Sequence, residues 1–283
     1  MFADAALAAR IDRAEARLCS RMALANGRPP AAASAFVLPL SGGLAVFAGN
    51  GSPMNKVIGI GLDQPLDENA LEAIEQRWHE CGEPVRIELS ILTEPALAAT
   101  LSGRGYRLHG FENVLARPVP DSPDAPDPPG ITVDAIAGDC FEEWLDIAVD
   151  SFANMDGTGS PADPVLPREE LKRLIGDGLG AEDLSMVRYI ARIGERAVGE
   201  AALSMDDGLA LLAGSGTLPQ FRGRGVQKAL VSRRLADARD AGCDLAVVVT
   251  APGTRSQENV MRRGFVLLYT RAILIKPAPT RPE

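Results

Sequence analysis

Two stretches of this chain, one in each half, place the same turn residues in the same register. In the first, Leu71, Ile74, Trp78 and Cys81 fall at i, i+3, i+7 and i+10, an apolar helical stripe closed by Gly82. In the second, a helix over Gly225–Ala241 stops at Gly242, where a helix C-terminus favours glycine. A short strand follows each helix. Arg104-Gly105-Tyr106 then answers Arg263-Gly264-Phe265, and both open strands that run to a basic residue and a proline, Arg117-Pro118 and Lys276-Pro277. Twelve positions separate Tyr106 from Pro118, and twelve separate Phe265 from Pro277. Chance likeness of two α/β units is the plain alternative, but the preserved register favours an internal duplication. Any fold for this chain must therefore accommodate two similar α/β units.

The boundary between them is legible. Arg117-Pro-Val-Pro-Asp-Ser-Pro-Asp-Ala-Pro-Asp-Pro-Pro-Gly130 can continue neither a helix nor a central strand. It predicts a domain over 1–118, a linker over 119–130 and a domain over 131–283. The second domain alternates. Ile131–Ile136 is a strand, and Phe141–Asn154 and Arg168–Ile175 are helices. Val187–Ile193, Ala197–Met205 and Ala210–Leu218 are strands, Leu245–Thr250 is a buried valine-rich strand, and Ser256–Arg263 is a short helix before a strand over Phe265–Ile275. The stripe of the helix at 225–241 is broken by Arg233 and Arg234, so its assignment rests on its ends. In the first domain Val85, Ile87, Leu89 and Ile91 alternate as in a half-buried strand, and Pro95–Leu101 is a short helix.

Composition narrows the function by exclusion. A net charge of −9 argues against a nucleic-acid partner, which calls for a basic face. The cysteines Cys19, Cys81, Cys140 and Cys243 show no Cys-x-x-Cys spacing, so neither a zinc site nor a disulfide framework is expected, and a reduced, cytoplasmic setting fits. The two histidines, His79 and His109, have no partners near them in sequence, and no metal is expected. The N-terminal residues carry charge where a signal peptide needs an apolar core, and no run is long enough to cross a membrane.

The chemistry concentrates in Leu218-Pro-Gln-Phe-Arg-Gly-Arg-Gly-Val-Gln227, where an apolar strand turns into a helix. Glycines let the backbone bring its amides up to a ligand, and the helix start adds unpaired donors and the positive end of its dipole, so this is a phosphate site. A P-loop needs Gly-x4-Gly-Lys-Ser/Thr, which the chain lacks. The dinucleotide fingerprint Gly-x-Gly-x-x-Gly fails too, because Lys228 follows Gly223-x-Gly225 and Pro219 follows Gly214-x-Gly216 at the third position. In the first half the corresponding segment, Gly61-Leu-Asp-Gln-Pro-Leu-Asp-Glu68, keeps a helix start with Asp67 as N-cap but offers carboxylates where a phosphate would sit.

Gln220-x-x-Gly223-x-Gly225 after a strand and Pro219 resembles the acyl-CoA pyrophosphate loop of the GNAT N-acetyltransferase superfamily. Ser256-Gln-Glu-Asn-Val-Met-Arg-Arg-Gly-Phe265 resembles the second cofactor motif of that family. The resemblance spans about residues 131–277 and implies an α/β fold with a mixed sheet, as two acyl-CoA N-acyltransferase-like domains in tandem, the first a degenerate copy. It implies that the amides of Arg222, Gly223, Arg224, Gly225, Val226 and Gln227 cradle the pyrophosphate of acetyl-CoA, with Arg222 and Arg224 adding charge. Gly216, Thr217 and Leu218 would flank the pantetheine arm, with the Thr217 amide as oxyanion donor, and Ser256 and Asn259 would face it from the other side. Ser256 is equally a good N-cap.

The expected reaction is direct attack of a neutral amine on the acetyl thioester, the acceptor a small-molecule amine and the protein a monomer or homodimer. Here the chain departs from the family. The position of the general-acid tyrosine holds Val260, and Tyr269 lies downstream in a strand. Glu200 is the candidate base because it interrupts an apolar strand, although an outward-facing glutamate is the plain alternative. Asp150, Asp156 and Asp163, with the segment 157–161, border the expected acceptor pocket and read equally as solvated loop charges. Two alternatives stand beside the enzyme: a non-catalytic CoA-binding sensor or scaffold, and a transferase of longer acyl chains accommodated by Gly214 and Gly216.

Overall fold

The structure, a computed structural model, describes residues 1–25, 35–119, 128–154, 167–179 and 186–278. It divides into two compact units, Met1–Asn113 with Leu268–Glu283, and Val114–Leu267.

In the first unit α1 (Ala5–Ala25) precedes β1 (Phe36–Leu40), β2 (Gly43–Phe47) and β3 (Lys56–Ile58). Then come α2 (Glu68–Glu80), β4 (Val85–Ser90), α3 (Pro95–Gly103) and β5 (Arg107–Pro118), whose first residues lie here. The sheet order is β1-β2-β3-β4-β12-β5, where β12 is Val266–Lys276. α2 begins at the expected cap, with the Asp67 carboxylate accepting from the amides of Asn69 and Ala70. Its Trp78 packs edge-on against Phe36 and Phe47, which fixes that face of the sheet as apolar core.

The other face is different. β4 is not half-buried: Glu88 and Ser90 are as inaccessible as Val85, Ile87 and Leu89, while Ile91 lies outside the strand and is exposed. The reason is α1, a helix the sequence reading did not include. Its Asp12 meets Arg271 of β12 at 2.6 Å and accepts from the Tyr269 hydroxyl at 2.5 Å, and its Glu15 meets Arg271 at 2.7 Å. Lys56 joins Glu15 and Glu88. Burial works against charge on Glu15, but Arg271 and Lys56 overcome it and pull its pKa down to about 2. Tyr269 is thus a structural hydroxyl. Removing the cation should leave the buried Asp12 carboxylate without a cation, while Lys56 still meets Glu15 and Glu88. Arg271→Met is expected to cost about 3–5 kcal/mol of stability, read as a lower urea midpoint at unchanged slope. A loss under 1 kcal/mol would show that the network adds no net stability.

The second unit holds the end of β5, then β6 (Ile131–Ile136), α4 (Phe141–Ala153), α5 (Arg168–Leu179), β7 (Met186–Ile193) and β8 (Arg196–Asp206). It continues with β9 (Leu209–Leu211), β10 (Ser215–Thr217), α6 (Val226–Asp240), β11 (Leu245–Thr250) and α7 (Arg255–Met261). Its strand order is β5-β11-β9-β8-β7-β6, with β10 beside β8. α6 covers one face through Val226, Leu230 and Leu235, and α4 the other through Trp144, Ile147 and Ala148.

From β1 and from β7 onward the two units follow a similar order of elements, with β10 an addition in the second. β1, β2 and β3 pair antiparallel and β4 returns parallel after α2; β7, β8 and β9 do the same, with β11 parallel after α6. The turns closing α3 and α7 also match: Tyr106 N donates to Leu101 O, and Phe265 N to Val260 O. The halves of the sequence do not separate at the linker, however. The final strand belongs to the first unit from Leu268 onward and pairs with β4 over Arg271–Lys276, Arg271 opposite Ser90, so each unit closes its sheet with residues from the other half.

Candidate functional site

The strand expected over Ala210–Leu218 is broken, and the break makes the site. Leu209–Leu211 pair parallel with Leu245–Val247, and Leu212 N still reaches Val247 O. Beyond that the chain leaves β11. Ser215–Thr217 pair with β8 alone, so a gap opens between β10 and the last residues of β11, Val248–Thr250. Leu218 N donates to Val198 O on β8. Backbone amides alternate along an edge strand, so those of Ser215 and Thr217 turn the other way, into the gap. A ligand there can take strand-type hydrogen bonds from β10. At its far wall the Thr250 hydroxyl is buried without a partner.

The gap leads to the glycine turn. A short 3-10 turn, Pro219–Phe221, puts Phe221 into the core with Arg196 and Arg224 stacked over its ring at 4.8 and 5.4 Å. Gly223 and Gly225 follow at φ +76° and +91°, values that L side chains rarely adopt. Gly225 caps α6 without any side-chain bond. The first helical hydrogen bond runs from Ala229 N to Gly225 O, so the amides of Val226 and Gln227 ahead of it have no partner in the helix. The Val226 side chain, buried in the core, anchors this turn. Together the glycines, free amides and helix dipole form an anion cradle. Arg222 takes a different part from the expected phosphate contact: its guanidinium donates to Thr217 O and Asn154 O, tying the turn to the end of α4.

Glu200 is fully buried on β8, opposite Gly216, which excludes the outward-facing alternative. Its carboxylate lies against the β10 backbone. A Cβ added to Gly216 would come within 2.4 Å of Ser151 Cβ and 2.7 Å of Glu200 Oε1, so only glycine fits. That space is therefore filled, and Gly216 leaves no room there for a longer acyl chain; Gly214 has open space beside it. Both Glu200 oxygens and the Ser151 hydroxyl lack side-chain partners. Burial pushes the Glu200 pKa up to about 8, against the pull of the Arg234 guanidinium, so the carboxyl holds its proton at neutral pH and becomes a proton acceptor as the pH rises through that value. Arg234, also buried, keeps its charge although burial lowers its pKa to about 10.

The remaining candidates are scattered. α7 starts at Arg255 and is capped by Thr254, whose hydroxyl accepts from Gln257 N, so Ser256 is not its cap but an exposed first-turn residue. Asn259 is half-buried on the same helix. Val260 belongs to the core. Asp150 pairs with Arg168, whereas Asp156, Asp163 and the segment 157–161 lie outside the described residues. Among the described residues no three His, Cys, Asp or Glu side chains stand close enough to hold a metal ion. No described helix is long and apolar enough to cross a membrane. Ser151, Ser215 and Arg234 escaped the sequence reading; the only signal was Arg234 interrupting the stripe of its helix.

Residues 141–265 match the acetyltransferase (GNAT) family model, a span that holds the gap, the glycine turn and α7. The fold is similar to that of a GCN5-related N-acetyltransferase from Kribbella flavida, with TM-score 0.67 and 21% identity over 96% of each chain. A GCN5-related N-acetyltransferase from Sphaerobacter thermophilus superposes at TM-score 0.57 and 16% identity, covering 97% of this chain and 95% of its own. A tandem GNAT protein from the clavulanic acid biosynthesis pathway gives TM-score 0.60 and 11% identity, covering 92% and 89%. At these identities the likeness is one of fold. No curated protein matches the chain by sequence.

Proposed function

We propose, from the GNAT domain at residues 141–265 as premise, that this chain moves an acetyl group from acetyl-CoA to a small-molecule amine by direct attack. The observation that carries the proposal is the continuity of the gap beside β10 with the anion cradle at Gly223–Gln227. A pyrophosphate held on the cradle sends its pantetheine arm along β10, where the Ser215 and Thr217 amides bond it, and the Thr217 amide is the oxyanion donor. Arg224 lies at the cradle's rim, and Ser256 and Asn259 on α7 line the opposite side. The amine attacks the thioester carbonyl from the side of α4, and Glu200 takes its proton once deprotonated itself.

In this reading the first unit is a degenerate copy. It repeats the strand and helix order, but Asp67 caps α2 where the second unit leaves its helix start open. A capped, acidic helix start repels a pyrophosphate, so one cofactor per chain is expected.

The test pairs calorimetric binding of CoA with thiol release from acetyl-CoA across a panel of amines. The expected result is one CoA bound per chain and amine-dependent thiol release. Binding without turnover on any amine would leave a CoA-binding sensor or scaffold, a reading favoured by the burial of Val260 where the family's tyrosine would stand. No binding at all would remove both readings.

A further inference from the structure

A chain of side-chain hydrogen bonds runs between α6 and β10, and its direction is fixed at one end. Arg234, 2% exposed, donates to Leu230 O, to Ala202 O and, through Nη2 at 3.5 Å, to Ser215 Oγ. A guanidinium has donors only, so Ser215 accepts there. The Ser215 hydroxyl hydrogen has two acceptors in reach, Gln227 Oε1 at 2.8 Å and Glu200 O at 3.3 Å, and the shorter contact takes it to Gln227. That turns the amide so that Gln227 Nε2 donates to Thr217 Oγ1, at 3.0 Å. Thr217 is the last member: its oxygen accepts, its own hydrogen must point onward, and none of the described hydrogen bonds uses it. Thr217 is 7% exposed and borders the gap between β10 and β11. Each bond polarises the next, so the positive charge on Arg234 makes the terminal hydroxyl a better donor.

We propose that the Thr217 hydroxyl, aimed by Gln227, Ser215 and Arg234, donates a hydrogen bond to the sulfur of the acyl-CoA thioester as it leaves. This rests on the acyl-CoA reading of the gap. The amine nitrogen forms the new C–N bond, the C–S bond breaks with its electron pair going to sulfur, and the amine proton passes to the Glu200 carboxylate. The nascent thiolate accepts the Thr217 hydrogen bond and takes its proton afterwards from solvent. A donor at sulfur is needed because Val260 has no hydroxyl to offer. Thr217 is a catalytic residue in this scheme, and Gln227, Ser215 and Arg234 are positioning residues.

The experiment titrates the thiol of CoA bound to the intact protein, through the ultraviolet absorbance of the thiolate. Thr217→Val keeps the β-branched shape and the backbone amide while removing the hydroxyl. CoA affinity is expected to change less than about threefold. At neutral pH, bound CoA should carry about tenfold more thiolate on the wild-type protein than on the variant. Gln227→Leu should give an intermediate loss, and the double variant should be no worse than Thr217→Val, as expected for members of one chain. In turnover, Thr217→Val should lower kcat about 10- to 100-fold with acetyl-CoA, and by much less with an aryl thioester, whose leaving group needs no help. Equal thiolate fractions in wild type and variant, with CoA bound to both, would overturn the role of Thr217 while sparing the acyl-CoA reading. Failure of the wild-type protein to bind CoA would overturn both.

Discussion

Gly223→Asp is expected to weaken CoA binding at least 100-fold, whereas Gly223→Asn stays within about tenfold of wild type. The pair isolates charge. Gly223 sits at φ +76° with nothing within 4 Å of an added Cβ, and Asn and Asp both tolerate this left-handed conformation better than other side chains. The substitutions thus bear similarly on the backbone and differ by one negative charge beside a dianionic pyrophosphate. Two unit charges 4 Å apart near a protein surface repel by about 4 kcal/mol, and about 1.4 kcal/mol is a factor of ten in affinity. Gly225 makes a poorer probe, since a Cβ there would meet Pro128 Cγ at 2.7 Å. Calorimetry measures the effect, with thermal unfolding to check that both variants fold alike. If Asp and Asn bind equally well, the pyrophosphate lies elsewhere.

Glu200→Gln is expected to lower kcat about 10²- to 10³-fold with little change in CoA affinity, as removal of a general base does. The wild-type kcat/KM should rise as pH climbs through about 8, where the carboxyl loses its proton, and level off above it. The variant should lack that rise. If it keeps the rise, the acceptor amine and not Glu200 is titrating. The same group leaves a mark on stability. Its folded pKa is raised, so the folded protein holds a proton that the unfolded chain releases near pH 4.5, and wild-type stability falls between there and about pH 8. Glu200→Gln removes this contribution, so its Tm should gain on the wild type across that window.

The reach of the sequence varied with the kind of information each residue carries. The glycine turn was legible because Gly223 and Gly225 answer a local demand: positive φ is a condition on a few consecutive residues. The Asp67 cap and the turns before Tyr106 and Phe265 were legible for the same reason. α1 was missed because its charged residues Asp12 and Glu15 face inward, against Arg271 and Lys56, and break the apolar pattern that marks a packed helix. The half-buried reading of Val85–Ile91 failed on that same network.

At the site, the sequence by itself determined a glycine turn into a helix start at residues 222–227, an apolar residue at Val260 and a polar interruption at Glu200. Tertiary structure alone decided that Ser215–Thr217 part from β11, that Glu200 lies buried against Gly216 beside Ser151, and that Arg234 reaches Ser215 from the next helix. The reason is physical. Backbone conformation at a turn is set by neighbours in the chain, whereas the partner of a buried charge is set by which strands and helices meet. Arg234 read as a fault in an amphipathic stripe until β10 supplied its acceptor.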